Sequence, residues 1–265
     1  MAALEIVVAV RWVDTAAEVD PLSGDVHVDP RTGGFSAADR AAVEVALRLA
    51  EAWSSTLTVV SAGGAEIEPA LRSLAAAGAS RIVRVPSVGQ LPSVLSSADV
   101  VVCGDLSTDG GTGSVPGWLA HQRGAAQALG LVAVEAGPPG EVNAVRRLGA
   151  GRSERIRVVA PSVLSVEGSV ATLRRAPLRA LREPAAVEVV DTAVVTGREP
   201  RVVSTGPWRP RPRVLAPPAG REARDRIVAL TGALVDRTPP RRVELDPSEA
   251  ADVILEQLRA WGYLP

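Results

Sequence analysis

Asp109, Gly110, Gly111, Thr112, Gly113, Ser114 and Val115 are the residues of this chain whose types and spacing best suit a ligand. They follow an apolar run, Val100-Val101-Val102-Cys103, that ends in Gly104, and they precede a helical pattern running toward Leu129. A strand, a glycine-bearing loop and a helix N-terminus together present unpaired backbone N–H groups and the positive end of a helix dipole, which suits a phosphate. The glycines permit close approach of a ligand. Thr112 and Ser114 offer hydroxyls to a helix cap or a phosphate oxygen, and Pro116 fits a first helical turn. The same pattern also occurs in α/β turns that bind nothing, so both readings stand at this point.

Other chemistries lack their residues. His27 and His121 are far apart and have no metal-ligand spacing, so both read as surface residues. Cys103 is the single cysteine, which excludes an intrachain disulfide and a cysteine metal cluster; it reads as small core filler. No nucleophile elbow, Walker A loop or G-x-G-x-x-G stands at a strand end, and the carboxylates are scattered. The chain therefore reads as a nucleotide-binding or scaffolding subunit without catalytic residues of its own, and any redox chemistry falls to a bound cofactor. A formal charge of -1 over 265 residues gives no reason to expect nucleic acid as a partner. All 29 basic residues are Arg, a bias that abundant Ala and Gly trace to a GC-rich genome. No basic segment followed by a long apolar run opens the chain, and no stretch reaches about 20 apolar residues, so the expectation is a cytoplasmic protein without a transmembrane segment.

The elements that must position the loop follow in order. Leu4 to Val10 reads as a buried parallel strand. Arg11 to Phe35 is turn-rich, with a hairpin strand at Val26 to Val28. Ser36-Ala37-Ala38-Asp39 resembles a capping box with Asp in place of Glu, and Val43, Ala46, Leu47 and Ala50 follow at helical spacing. Thr56 to Ser61 and Arg81 to Val85 read as strands, Glu66 to Ala77 as a helix closed by Gly78, and Gln90 to Ala98 as a short helix. This alternation predicts an α/β fold, a parallel sheet with helices on both faces, Rossmann-like and suited to an adenine nucleotide. Its ligand belongs at the carboxyl ends of the first, second and fourth strands. From Leu131 the reading turns β-rich, with strands at Val132–Glu135, Val142–Leu148, Arg155–Ala160 and Ser162–Glu167. Beyond Pro184 come a Pro/Arg-rich connector at Pro207 to Pro212, a helix over Arg221 to Val235, and a capped helix after Asp246 with an apolar stripe at Ala250, Val253, Ile254, Leu258 and Trp261. The division expected is 1–184, an α/β nucleotide-binding domain, and 185–265, a C-terminal arm and helix.

Several segments together resemble the beta subunit of electron transfer flavoprotein. Val8-Ala9-Val10-Arg11 is similar to the family's opening Val-Ala-Val-Lys-Arg. Ser36 to Asp39 with Val43 to Leu49 resembles its Asn-Pro-x-Asp segment and the helix after it. Val60-Ser61-Ala62-Gly63, Ala76 to Arg81, and Arg146 to Ser165 resemble further family segments, and Asp109 to Val115 resembles the nucleotide loop Asp-Gly-Asp-Thr-Ala-Gln-Val. The resemblance covers residues 4 to 184. The departures are Ser36-Ala37 for Asn-Pro, Gly111 for the acidic loop residue, Ser114 for Gln, Gly149 and Ala150 for acidic residues, and a shortened helix at Gln90–Ala98.

The resemblance implies a heterodimer with an alpha subunit, which the C-terminal arm embraces and which holds most of a shared FAD. It implies electrons carried from a flavin dehydrogenase toward a quinone reductase, and a second nucleotide on this chain, AMP or a second FAD. Carried over by motif, the nucleotide contacts are Ala9, Ser36, Ala37, Ala38, Asp39, Ala62 and Asp109 through Val115. The absence of an insertion between Asp109 and Thr112 leans toward the second-FAD branch. Ala171-Thr172-Leu173 resembles the loop that recognises partner dehydrogenases, with Leu173 as its apolar anchor. The Arg-only composition suits an actinobacterial branch such as the subunit encoded beside mycofactocin systems. Two other readings remain: a universal-stress-type nucleotide-binding regulatory module, and a degenerate scaffold subunit without its own nucleotide.

Overall fold

Every second residue of Glu5–Val10 (β1) faces a different apolar layer, which sets this strand between the two layers of the first unit's sheet. Ile6, Val8 and Val10 pack in one cluster, and Val7 and Ala9 in the other. The computed structural model describes residues 4–14, 16, 18–27, 32–183, 185–194, 218, 222–231 and 243–264. The chain forms two compact units, Met1–Trp208 and Arg209–Pro265.

In the first unit the turn-rich stretch after β1 holds two short antiparallel pairs. Trp12–Asp14 (β2) pairs with Gly33–Phe35 (β5), and Glu18–Val19 (β3) with Val26–His27 (β4). The predicted hairpin strand is thus present at Val26 and His27; Val28 lies outside the described residues. Ala37–Trp53 (α1) follows, then Thr56–Ala62 (β6), Glu68–Ala76 (α2), Arg81–Val85 (β7), Leu91–Val94 (α3), Val100–Gly104 (β8) and Ser114–Arg123 (α4). Ala126–Ala136 (β9), Glu141–Arg147 (β10), Ser153–Val159 (β11), Ser162–Val166 (β12), Leu178–Arg182 (α5) and Glu188–Val189 (β13) complete the unit.

One nine-stranded sheet runs β11-β10-β9-β12-β8-β1-β6-β7-β13. All neighbours from β9 to β13 pair in parallel, and β10 is antiparallel to both β9 and β11. Leu47, Leu49, Leu71 and Leu74, from α1 and α2, join the apolar layer on one face; Leu91, Leu95 and Leu119, from α3 and α4 and their flank, join that on the other. The expected α/β fold, a parallel sheet covered on both faces and joined by a β-rich segment, is the fold observed, with that segment continuing the same sheet.

Three local expectations change. The helical pattern read through to Leu129 stops at Gly124, which caps α4 in the left-handed region at φ +58, and Ala126–Ala136 is strand. Apolar residues there satisfy either period; the backbone ladder to β12, from Ala126 opposite Ser162 onward, selects the strand. Gln90–Ala98 holds a single α-helical turn, α3, after a 3-10 turn at Val88–Gln90. Glu188–Val189 extends the sheet beyond β7, with Glu188 bonded to Arg81 through both carboxylate oxygens at 2.8 Å.

The second unit contains Ala223–Thr231 (α6) and Pro247–Ala260 (α7). Asp246 caps α7 by accepting N–H bonds from Ser248 and Glu249, as its Asp-Pro-Ser-Glu sequence predicts. Val253, Ile254 and Trp261 of the apolar stripe are exposed. The helix read over Arg221–Val235 is present from Ala223 to Thr231, with Glu222 a bend before it; Arg221, residues 232–235, the connector at Pro207–Pro212 and Pro184 lie outside the described residues. No helix among the described residues is long and apolar enough to cross a membrane.

Candidate functional site

A cleft of about 590 Å³, its open mouth included, lies at the carboxyl ends of β1, β6 and β8. These are the first, second and fourth strands of the α/β alternation, where a parallel sheet presents its ligands. Ala9, Val10 and Arg11 come from the end of β1, Ala62 from β6, and Cys103 and Gly104 from β8. Asp39 enters from the first turn of α1. Asp105, Leu106, Ser107, Thr112 and Gly113 come from the loop, and Val115 and Pro116 from the start of α4. Val88 and Leu91 close the apolar side.

The approach of α1 to β8 depends on Gly104. A Cβ there would stand 3.1 Å from Ala38 Cβ and from the backbone N and Oδ1 of Asp39. Gly113 is tighter still, since an added Cβ would lie 2.3 Å from the Asp105 carbonyl oxygen. The loop is closed on itself: Ser107 N–H donates to the Thr112 carbonyl and Gly111 N–H to the Ser107 carbonyl, both at 2.8 Å.

Asp39 is the buried acid of the site, 7% exposed. Ser36 caps α1, its Oγ accepting from Asp39 N–H at 3.0 Å and donating to Asp39 Oδ2 at 2.7 Å. Arg11 N–H reaches Oδ1 at 3.4 Å. Burial outweighs these bonds and pushes the Asp39 carboxyl up to about 6. Asp105 is also raised, chiefly by burial and further by Glu167. Asp109 behaves oppositely. Partial burial pushes it up, yet hydrogen bonds from Arg11 and Ser107 prevail and hold it at about 2. Cys103 is buried, its thiol pushed up to about 12 by the loss of water and by nearby Asp39.

Of the residues nominated from sequence, Ala9, Asp39, Ala62, Thr112, Gly113 and Val115 line the cleft. Ser36 stands one hydrogen bond behind Asp39. Ala37 and Ala38 pack against the backbone of Gly168 and Gly104. Asp109 pairs with Arg11 beside the cleft; Gly110 and Gly111 of the loop and Ser114, the first residue of α4, are exposed and outside the lining. Sequence reasoning missed Arg11, Ser107 and Asp105 as site residues. Their position gave the signal, since each follows a buried strand by one to three residues. Leu173 is half-buried and packs on the apolar layer with Val170 and Ala171. Its neighbour Arg174 is fastened to Glu44 and Glu51 of α1.

The lining suits an adenine nucleotide. Ala9, Ala62, Val88, Leu91 and Val115 offer apolar surface to a flat ring, while Arg11, Ser107 and Thr112 offer donors to a phosphate. Among the described residues no group of three or more His, Cys, Asp or Glu side chains could hold a metal ion.

No protein-family model matches the chain. The electron transfer flavoprotein subunit beta of Chromohalobacter salexigens is 27% identical over 243 residues, covering 87% of this chain and 90% of that protein. Through that relative, the resemblance read from the strand, cap and loop segments to the electron transfer flavoprotein beta subunit is borne out along most of the chain.

Proposed function

We propose that this chain is the beta subunit of a heterodimeric electron transfer flavoprotein, a carrier without catalytic residues of its own. One observation carries the reading. The similarity to a subunit beta spans 243 residues, and the same chain has a cleft with an apolar and a polar side at the carboxyl ends of its parallel strands. The second reading from sequence, a regulatory module of universal-stress type, leaves the segment after Leu131 unexplained, whereas the similarity covers 87% of the chain.

The alpha subunit is the partner, and FAD is shared with it; that flavin supplies the electron transfer when bound. Residues 1–184 act as the nucleotide-binding domain and 185–265 as the arm that embraces the alpha subunit. Ala9, Ala62 and Val115 would hold the base of AMP or a second FAD, with Ser36 to Asp39 and Asp109 to Ser114 around the remainder. Leu173 and its basic flank, Arg174 and Arg175, dock a flavin dehydrogenase as donor, and the electrons pass toward a quinone reductase. The compartment is the cytoplasm.

Co-expression with an alpha-type subunit, followed by extraction and chromatography of bound nucleotides, tests the reading. A heterodimer carrying FAD and one AMP supports a simple shuttle, and two FAD assign the beta cleft to flavin. A heterodimer with FAD alone makes this chain a scaffold. Failure to form a flavin-bearing heterodimer refutes the proposal.

A further inference from the structure

The carboxylate of Asp109 is surrounded by more donors than a surface acid needs. Arg11 Nε donates to both of its oxygens at 2.9 Å, and Arg11 Nη2 to Oδ2 at 2.5 Å. Gly110 N–H donates to Oδ1 at 2.8 Å, and the Ser107 hydroxyl donates to the same oxygen. A forked guanidinium, a hydroxyl and a backbone N–H converging on one anion form the donor set that proteins use for a phosphate group. Arg11 and Ser107 also line the cleft.

The charge around the cleft makes this pairing consequential. Among the described residues Arg11 is the one cation in the lining, and Asp39 and Asp105 are the other charged groups there. With Arg11 committed to Asp109, an arriving anion meets two acids and no free cation. A phosphate therefore gains a cation from the lining only by taking Arg11 from Asp109. We propose that Asp109 is an internal occupant of a phosphate cradle made by Arg11, Ser107 and the Gly110 N–H, and that the phosphate of an incoming nucleotide displaces it. This deepens the nucleotide reading of the same cleft and rests on it.

The displacement is easy to achieve. The two side chains are 47% and 36% exposed, and exposed ion pairs of this kind hold by no more than about fivefold. A phosphate carries more charge than one carboxylate and fits the same fork. The bonds that close the loop, Ser107 N–H to Thr112 and Gly111 N–H to Ser107, are main-chain bonds, so the Asp109 side chain can leave without unmaking the turn. The sign of the effect separates this role from the one carried over by resemblance. A residue that contacts the nucleotide weakens binding when removed; an internal competitor strengthens it.

Calorimetric titration of the full chain with AMP, adenosine and inorganic pyrophosphate tests this in the parent, Asp109→Asn, Asp109→Ser, Arg11→Gln and the Arg11→Gln/Asp109→Asn double variant, with far-UV circular dichroism as the folding control. The expected result is that both Asp109 variants bind AMP and pyrophosphate up to about fivefold more tightly at low salt, with the gain shrinking at high salt. Arg11→Gln loses affinity for both, and adding Asp109→Asn to it restores nothing. Equal or weaker AMP and pyrophosphate binding in the Asp109 variants overturns the inference. If that result comes with adenosine binding as tightly as AMP, the nucleotide reading survives without the cradle. If pyrophosphate tightens but neither adenosine nor AMP binds, the cradle stands and the adenine reading falls. No binding by any variant overturns both.

Discussion

Replacing Arg174 with Met keeps the aliphatic stem of the side chain and removes its charge from a buried acid. Glu44, on α1, is only 4% exposed. Its carboxylate accepts from the Arg174 backbone N–H at 3.1 Å, from Arg174 Nε at 3.0 Å and Nη2 at 3.1 Å, and from Arg48 Nε at 3.0 Å. Removing one partner of a fully buried ion pair costs about 3–5 kcal/mol. Arg174 is 34% exposed and Arg48 stays in place, so water and Arg48 recover part of that. The expected cost is about 2 kcal/mol, with nothing added for Glu51 on the exposed side. Burial pushes the Glu44 carboxyl up, but the Arg174 hydrogen bonds prevail and hold it below its ordinary value. A lowered acid contributes stability above its unfolded pKa and loses it as pH falls through the folded one. The deficit of Arg174→Met should therefore be full at neutral pH and shrink below about pH 4. Urea denaturation followed by far-UV circular dichroism measures it. The Glu44→Gln/Arg174→Met double variant should be less destabilised than the sum of the single variants, because the two share one interaction. A loss under about 0.5 kcal/mol at neutral pH, typical of an ordinary surface change, would refute the reasoning.

Asp39→Asn should gain stability relative to the parent as pH rises. The folded carboxyl sits at about 6 because of burial, so the native state holds a proton that the unfolded chain has lost, and the parent weakens between about pH 4 and 6. The unfolding free energies of variant and parent, from urea titrations at about pH 5 and about pH 7.5, should change relative to one another by about 1.4 kcal/mol, and a constant difference would remove the burial argument. Gly113→Ala should cost about 1–3 kcal/mol and weaken AMP binding, because its Cβ would meet the Asp105 carbonyl oxygen at 2.3 Å; an unchanged melting temperature counts against the loop geometry. Cys103 should resist a thiol reagent in the native protein and react on unfolding, its thiol being buried and pushed up to about 12. Rapid labelling of the folded chain contradicts this.

The parallel core was legible because its strands announce themselves. Glu5–Val10 and Val100–Gly104 are nearly continuous apolar runs, as strands covered on both faces must be. The N-cap at Ser36 was legible for a local reason, a hydroxyl bonding a backbone N–H three residues on. The first half of the strand Ala126–Ala136 was not, because Ala-Gln-Ala-Leu supports a helix until the ladder to Ser162–Val166 is known, and that partner lies about 36 residues away in sequence; its second half, Val132–Glu135, already read as strand. The cleft was half legible. Strand ends and a glycine loop can be located from sequence, and Ala9, Ala62 and Thr112 fall where they predict. The pairing of Arg11 with Asp109 joins residues 98 apart, and no local pattern encodes it.

The elements that could carry function converge on α1. Its first turn sets Asp39 in the floor of the cleft, and its later turns present Glu44 and Glu51 to Arg174. The segment between these points is tied at both ends. At Gly168 an added Cβ would lie 2.9 Å from Ala37 Cβ and 3.1 Å from the Ala38 backbone N, so the backbone there touches the start of the helix. Six residues beyond Gly168, the Arg174 guanidinium closes on Glu44 and Glu51. Leu173 is therefore positioned by the same helix that shapes the cleft. A helix of this length moves as a rigid rod, since each backbone bond is shared with the turns beside it. A substitution at Gly104 or Gly168, which both pack on the start of α1, is expected to shift the cleft floor and the Leu173 segment together. The antiparallel strands are tied to the same helix, since Trp53 at its end donates to the Gly137 carbonyl between β9 and β10 at 3.0 Å, and Val142, Ala144 and Val158 share the apolar layer of Leu47 and Leu49 on which Leu173 packs.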